Sequence, residues 1–293
     1  MTVAAETPDK YENAKRERKK FVDEILSSKA TRKVVVAGPG TGKSYLFKMM
    51  LESRQNSLTL TFINSLVQDL ALDLCGLSEV RTLHGFARSI VSGIDGGAAI
   101  YPRLSTVIAE DAEVLEGQST DFEFMLFEMN EAEPLFKFHS GRKKYYGHYG
   151  HADIVFEAVK HFQKSDENIP SYEQIVIDEF QDFNELEVAL IELLSRKSPT
   201  LLVGDDDQAL YDFKNASPDH IRKLHRTEAK DHASFSLPYC SRCTRAVVEA
   251  TNDVIEGAVR NGLLNDRIEK SYIYFDDRKK DRDCEKFDRL SYT

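Results

Sequence analysis

The sequence predicts an α/β protein, a parallel sheet flanked by helices and interrupted by a mostly helical insertion, on three observations. Short apolar runs bounded by turn residues alternate with stretches of helical periodicity, the rhythm of strand–helix–strand units. A glycine-rich turn, AGPGTGKS at 37–44, directly follows the first of these runs. Two acidic stretches, DEFQD at 178–182 and GDDDQ at 204–208, each follow a later apolar run, where open α/β sheets carry their ligand chemistry.

Residues 1–31 read as a helical lead-in, with AKRERKK at 14–20 as a solvated helix face. The first strand is built on Val34, Val35 and Val36, since β-branched residues suit a sheet covered on both faces. In the turn that follows, Gly38, Gly40 and Gly42 allow the backbone to curl until its N–H groups converge on a polyphosphate, with Thr41 among them. Lys43 is placed to reach the β- and γ-phosphates, and the Ser44 hydroxyl to hold Mg2+. Ala37 stands where the general motif has its first glycine. Leu46, Phe47, Met50 and Leu51 then recur at helical spacing, so a helix N-terminus faces the phosphates.

A second strand is expected over 58–62 and a third over 80–83, each followed by a helix, the latter starting near His84. From 92 to 171 glycines and Pro102 break the rhythm, and the chain reads as the helical insertion. Within it, GRKKYYGHYGH at 141–151 has two readings: a loop suited to backbone contact and base stacking, or a solvated loop with buried tyrosines. Strands resume over 174–178, 200–204 and 234–237, with helices from about 185 and over 218–225. Apolar residues at 246, 247, 250, 254, 255, 258 and 259 give a clear helical period, and 271–275 a last strand. The expected division is 1–91 and 172–236 for the sheet domain, 92–171 for the insertion, and 237–293 for the start of a second domain.

Composition narrows the class. The chain has 293 residues, 41% hydrophobic and 30% charged, as in an ordinary globular protein. No apolar run approaches a membrane span, and no secretory signal is evident at the N-terminus. Four cysteines, at 75, 240, 243 and 284, make no disulfide framework, so a cytoplasmic location is expected. Cys240 and Cys243 form a C-x-x-C without the second ligand pair that zinc needs. The net charge of −10 argues against indiscriminate adhesion to nucleic acid but leaves room for a local basic groove.

The acidic stretches complete the chemistry of a triphosphate site. Asp178 is suited to hold Mg2+, directly or through water, and Glu179 to deprotonate the water that attacks the γ-phosphate. Gln208 follows the next strand end, where an amide can sense the γ-phosphate; by spacing alone Tyr211 and Phe213 would be core.

AGPGTGKS, TFINSL, RTLHGF, DEFQD, VGDDDQALYDFKNA and SRCTRAVVEATNDVI stand in the order and context of UvrD/Rep-type superfamily 1 DNA helicases, which the chain resembles over about 32–92 and 173–256. The resemblance implies a RecA-like P-loop sheet and ATP-driven movement along single-stranded DNA, 3′ to 5′ in the family's usual sense. It implies ATP as substrate, Mg2+, single-stranded DNA or a junction as partner, and no membrane. It makes Gln208 the coupler between γ-phosphate and DNA, and Arg242 the arginine that reaches the γ-phosphate from the second domain. Phe62, Asn64 and His84 would line the strand's path, and bases would stack on Tyr211 and Phe213 beside Lys214.

The departures are specific. The glutamine that reads adenine upstream of the loop is absent, since the first glutamine is Gln55. Ser241 replaces a tyrosine expected against the base, with Tyr239 the candidate substitute, and Lys214 replaces an arginine fork. The family's later motifs are expected beyond residue 293, which predicts a chain that binds Mg–ATP and turns it over poorly. The alternative is a nucleotide-dependent DNA-binding or partner-switching module with weak or no hydrolysis.

Overall fold

Val34, Val35 and Val36 are at most 1% exposed at the centre of β1 (Arg32–Ala37), a strand covered on both faces. The computed structural model describes residues 10–209 and 215–275. In it β1 pairs in parallel with β5 (Thr200–Gly204) on one side and β6 (His232–Leu237) on the other. With β2 (Ser57–Thr61), β3 (Glu79–Thr82) and β4 (Gln174–Ile177), they form a six-stranded sheet in the order β3–β2–β4–β5–β1–β6. Every pairing in that sheet is parallel.

Side chains alternate across the sheet. Val34, Val36, Leu58, Leu60, Ile175, Ile177 and Leu202 face one layer, which includes α4 (Leu83–Asp95), α8 (His151–Lys164) and α9 (Glu185–Ser195). Val35, Val176, Leu201 and Val203 face the other, formed by α1 (Lys10–Ser27), α2 (Lys43–Leu51) and α3 (Asn64–Asp73). Burial on both faces explains why these strands read as continuous apolar runs.

Between β3 and β4 the chain is helical, with α5 (Leu104–Glu116), α6 (Phe122–Phe127) and α7 (Phe136–Tyr146) beside α4 and α8. After β5 come α10 (Asp219–His225), β6, β7 (Tyr239–Cys240), α11 (Arg245–Arg260) and β8 (Ile273–Tyr274). The strand expected over 271–275 shortens to β8, which pairs with β7 in a separate two-stranded sheet. The third strand ends one residue early because Thr82 caps α4, its hydroxyl accepting from the Gly85 N–H at 3.0 Å. Much of the periodic face of α11 looks outward, with Val247 and Val254 exposed. Among the described residues no helix is long and apolar enough to cross a membrane.

The helical layer encloses a polar pair. His139 on α7 is 1% exposed, stacks on Phe122 at 5.1 Å, and holds Nε2 3.6 Å from Asp153 Oδ1. Asp153 also caps α8 by accepting from the Gly150 N–H at 2.9 Å, while Lys143 lies 3.5 Å away. Burial pushes the His139 imidazole below its ordinary 6.5, and Lys143 adds to this against the pull of Asp153 and Glu157. Unfolded chains therefore take up a proton here before folded ones do. Stability is full above about pH 6.5 and falls as pH drops through the interval below it. Thermal midpoints measured from about pH 7.5 to about pH 5 should fall less steeply in His139→Gln than in the parent chain. Equal slopes would remove His139 from the account.

Candidate nucleotide-binding site

The loop after β1 takes a conformation that its glycines permit. Gly40 and Gly42 have φ of +69° and +100°, in the left-handed region. A Cβ on Gly40 would stand 2.4 Å from Cβ of Arg242, so space forbids a side chain there as well; at Gly42 the near atom, Nη2 of Arg18 at 2.5 Å, is the movable end of a long side chain, and the backbone conformation alone makes the demand. Thr41 is buried, its hydroxyl donating to the Gly38 carbonyl at 2.9 Å. Gly42 precedes α2 directly, which aims the N–H groups of that helix at the cleft.

Lys43 opens α2, and its Nζ donates to Glu179 Oε1 at 2.6 Å and stands 4.0 Å from Asp178 Oδ1. In the sheet β5 separates β1 from β4, and the long lysine side chain crosses that gap. Asp178 extends β4, its N–H donating to the Leu60 carbonyl at 2.9 Å. Burial pushes its carboxyl up to about 6; Lys43 opposes the shift and Glu179 adds to it. Its Oδ1 is buried with no hydrogen-bond partner, a hard oxygen of the kind a magnesium ion takes. Glu179 sits at φ +53° and ψ +47°, a left-handed conformation that costs a non-glycine residue about 1–2 kcal/mol. That strain turns its carboxylate out of the strand line and toward Lys43.

A hydrogen-bonded chain continues from there. Gln181, 1% exposed, donates to Glu179 Oε2 at 3.1 Å and accepts from the Asp205 N–H at 3.0 Å. Gln208 donates to Asp205 Oδ2 at 2.5 Å. The ends of β4 and β5 are thus tied through side-chain amides, which links Gln208 to the lysine. Lys270 is 8% exposed at its side chain, with Nζ 2.5 Å from Asp205 and 3.0 Å from Asp207, and pairs also with Asp206. Among the described residues those three aspartates are the one cluster with metal-ligand spacing, and Lys270 fills it.

The opposite wall comes from the segment after β6. Ser241 donates from its N–H to the Gly40 carbonyl at 2.8 Å and from its hydroxyl at 3.1 Å. Arg242 follows. A cleft of about 470 Å³ is lined by Gly40, Gly42, Lys43, Ser44, Asp178, Glu179, Gln208 and Arg242, with Ser241, Tyr45 and Asp69 among the rest. Of the residues expected at the nucleotide, only Gly38 and Thr41 stand behind this lining.

Tyr239 does not take the place expected of it. It turns to α1, where its hydroxyl donates to Glu17 and its ring meets Phe21 edge-on at 6.2 Å; burial and Glu17 push that hydroxyl up to about 12. Tyr272 packs on the loop instead, donating to the Pro39 carbonyl at 2.9 Å. Tyr272 and Arg18 are the residues the sequence reading missed. Arg18 lay within a basic run read as a solvated face, and Tyr272 within a strand read for its apolar character. In Arg18 a signal was present, since it stands three residues before Phe21 on the inward side of α1.

The expected DNA contacts divide. Phe62, after β2, meets Phe183 edge-on at 5.7 Å, and His84 Nδ1 lies 3.5 Å from Glu187 Oε1. Both follow strand C-termini, on the same edge of the sheet as Lys43. Asn64 opens α3, and its side chain lies outside the described part, as do Tyr211, Phe213 and Lys214. The segment 141–151 is not a loop: it is mostly the end of α7, closed by Gly147 at φ +66°. Arg142 donates to Asp111 at 2.7 Å and to the Tyr146 hydroxyl at 2.9 Å, and Lys143 donates to Glu157 at 2.5 Å. These two cations bind their own fold and Tyr145 is exposed, so the loop that both readings of this stretch assumed, and the buried tyrosines of the second, are corrected.

Comparison with known proteins agrees with this geometry. The family model described as the UvrD/REP helicase N-terminal domain matches residues 100–229, a span that includes β4, β5 and the acidic stretches but begins after the glycine-rich loop. An ATP-dependent helicase/nuclease protein of Streptococcus uberis is 28% identical over 206 residues, 66% of this chain and 16% of that protein. The ATP-dependent DNA helicase PcrA of Leuconostoc citreum is 28% identical over 108 residues, 35% of this chain and 14% of its own length. DNA helicase II of Haemophilus influenzae is 28% identical over 109 residues, 36% of this chain and 15% of that protein. The chain therefore spans a minor part of the relatives it matches. Parallel sheet, acidic strand ends and family match converge: over residues 100–229 the chain is similar to the UvrD/REP helicase N-terminal domain.

Proposed function

We propose that the chain is the ATP-binding part of a DNA helicase motor of UvrD/Rep type, coupling ATP hydrolysis to movement on single-stranded DNA, in the 3′ to 5′ sense of the family. The observation that carries this reading is the convergence of Lys43, Asp178 and Glu179 on one cleft, with Lys43 2.6 Å from Glu179. N–H groups around Gly38, Gly40, Thr41 and Gly42 cradle the phosphates, and Lys43 leaves Glu179 to reach the β- and γ-oxygens. Release from Lys43 gives Glu179 its role, orienting and deprotonating the attacking water. Ser44 and Asp178 would hold Mg2+, which would neutralise charge on the phosphates. Arg242 approaches the γ-phosphate from the second wall. Gln208 reports the state of the phosphate through Asp205 and Gln181. Phe62, Asn64, His84, Tyr211, Phe213 and Lys214 form the path of the single strand or of a junction. The division at 91, 171 and 236 belongs to this proposal, with α4 bridging the first boundary, as does a cytoplasmic location.

Lys43→Ala is expected to weaken Mg–ATP binding about thirtyfold, the loss of one or two charge-assisted hydrogen bonds. Titration with a fluorescent ATP analogue checks this, with single-stranded DNA present and absent. An affinity unaffected by the substitution would overturn the assignment of the loop.

A further inference from the structure

Cys240 closes β7 and Cys243 stands two residues before α11, so a strand and a helix pin the C-x-x-C turn at its ends. Cys240 is buried and Cys243 partly exposed. The Cys243 N–H donates to Cys240 Sγ at 3.3 Å. The Tyr272 hydroxyl lies 3.1 Å from Cys240 Sγ and 3.7 Å from Cys243 Sγ, so both sulfurs point to one side of the turn. Burial raises the Cys240 thiol, but hydrogen bonds from Tyr272 and from the N–H groups of Cys243 and Arg242 outweigh it and bring the thiol below its usual range. An accessible thiol three positions from a buried, hydrogen-bonded one has the layout of an attacking and resolving pair.

The pair is built against the phosphate loop. Cys240 Sγ lies 3.2 Å from the position of a Cβ on Gly40, and the Tyr272 ring 3.2 Å from one on Gly38. Between the two cysteines stand Ser241, bonded to the Gly40 carbonyl, and Arg242, which lines the cleft.

We infer that Cys240 and Cys243 are a redox site, forming a reversible disulfide by exchange with a small-molecule disulfide and thereby weakening nucleotide binding. The Cys243 thiolate attacks one sulfur of the small disulfide and expels a thiolate, which takes up the proton that Cys243 lost. The Cys240 thiolate then attacks Cys243 Sγ, forming the internal bond and expelling the second thiol with the second proton. Two protein thiols lose two electrons and one small disulfide gains them. Closing an S–S bond of about 2.05 Å draws Cys243 inward and shifts Ser241 and Arg242 on the loop. The consequence for nucleotide rests on the proposed ATP site; the disulfide does not.

The test uses the chain with Cys75→Ser and Cys284→Ser, equilibrated with graded ratios of oxidised to reduced glutathione. Alkylation followed by mass spectrometry counts the thiols, and a fluorescent ATP analogue with Mg2+ reports affinity. The expected result is joint loss of both thiols and about tenfold weaker binding, restored by dithiothreitol. With Cys243→Ser added, affinity should stay that of the reduced chain at every ratio. Free thiols throughout would overturn the redox site, and a disulfide with unchanged affinity would overturn its coupling to the cleft. A reduced chain that never binds Mg–ATP would overturn the nucleotide reading, while the mass spectra still judge the disulfide.

Discussion

Glu179→Gln is expected to lower ATP turnover about 10³-fold while leaving Mg–ATP affinity within about threefold of the parent, the signature of a lost general base. The geometry argues for both halves. Glu179 faces two donors, Lys43 Nζ on Oε1 and Gln181 Nε2 on Oε2. A glutamine amide has one acceptor oxygen, so it keeps one of these contacts and opposes the other donor with its own N–H. That costs about 1 kcal/mol of local stability. Against this, the amide holds Lys43 without a full negative charge, which frees the ammonium for phosphate. Binding persists for that reason, whereas proton abstraction needs a carboxylate and is lost. The measurement compares single-turnover hydrolysis and equilibrium binding in the complete protein, with and without single-stranded DNA. Turnover retained within about tenfold would dismiss Glu179 as the base. Hydrolysis indifferent to DNA in the parent would favour a nucleotide-dependent switching module over a translocating motor.

Lys270→Ala should destabilise the fold by about 3 kcal/mol, because it strands charge that the fold has buried. Lys270 is the ammonium shared by Asp205, Asp206 and Asp207, of which the first two are 3% and 4% exposed. Burial by itself would lower its ammonium and raise the Asp206 carboxyl. Pairing outweighs burial in both, so Lys270 is held above its ordinary value and Asp206 below its own. Two guanidiniums remain after the substitution, Arg222 at 3.1 Å from Asp206 and Arg267 at 2.9 Å from Asp207, and they limit the loss. Asp205 has no such reserve, and it is the residue that orients Gln208. Urea unfolding of the variant would measure the effect, and nucleotide binding would register the displaced amide. A change below about 1 kcal/mol would mean that water replaces Lys270 without penalty.

The residues that line the candidate nucleotide cleft were legible because their motifs are local. Lys43 and Ser44 follow the strand that Val34, Val35 and Val36 announce, and Asp178 and Glu179 end a strand just as plainly readable. The helical segment was less so. Arg142 and Lys143 looked like a basic loop because their partners, Asp111 and Glu157, are 31 and 14 residues away and no periodicity pairs them. Tyr239 and Tyr272 were indistinguishable by spacing. Which of the two meets the phosphate loop depends on α1, whose Glu17 captures Tyr239.

By itself the sequence determined the α/β class with its parallel sheet, the glycine-rich loop after the first strand, the acidic strand ends and the resemblance to a helicase family. Each strand, turn and motif behind these readings is written within about fifteen consecutive residues, the range over which propensity, periodicity and turn chemistry act. Tertiary structure alone decided the strand order, with β5 between β1 and β4, and the pairing of Lys43 with Glu179 across it. It also decided that Lys270 neutralises three aspartates and that a C-x-x-C lies against Gly40. Such contacts join residues far apart in the chain, and which of several equally charged or equally sized partners meet is settled by how layers pack, on which local sequence is silent.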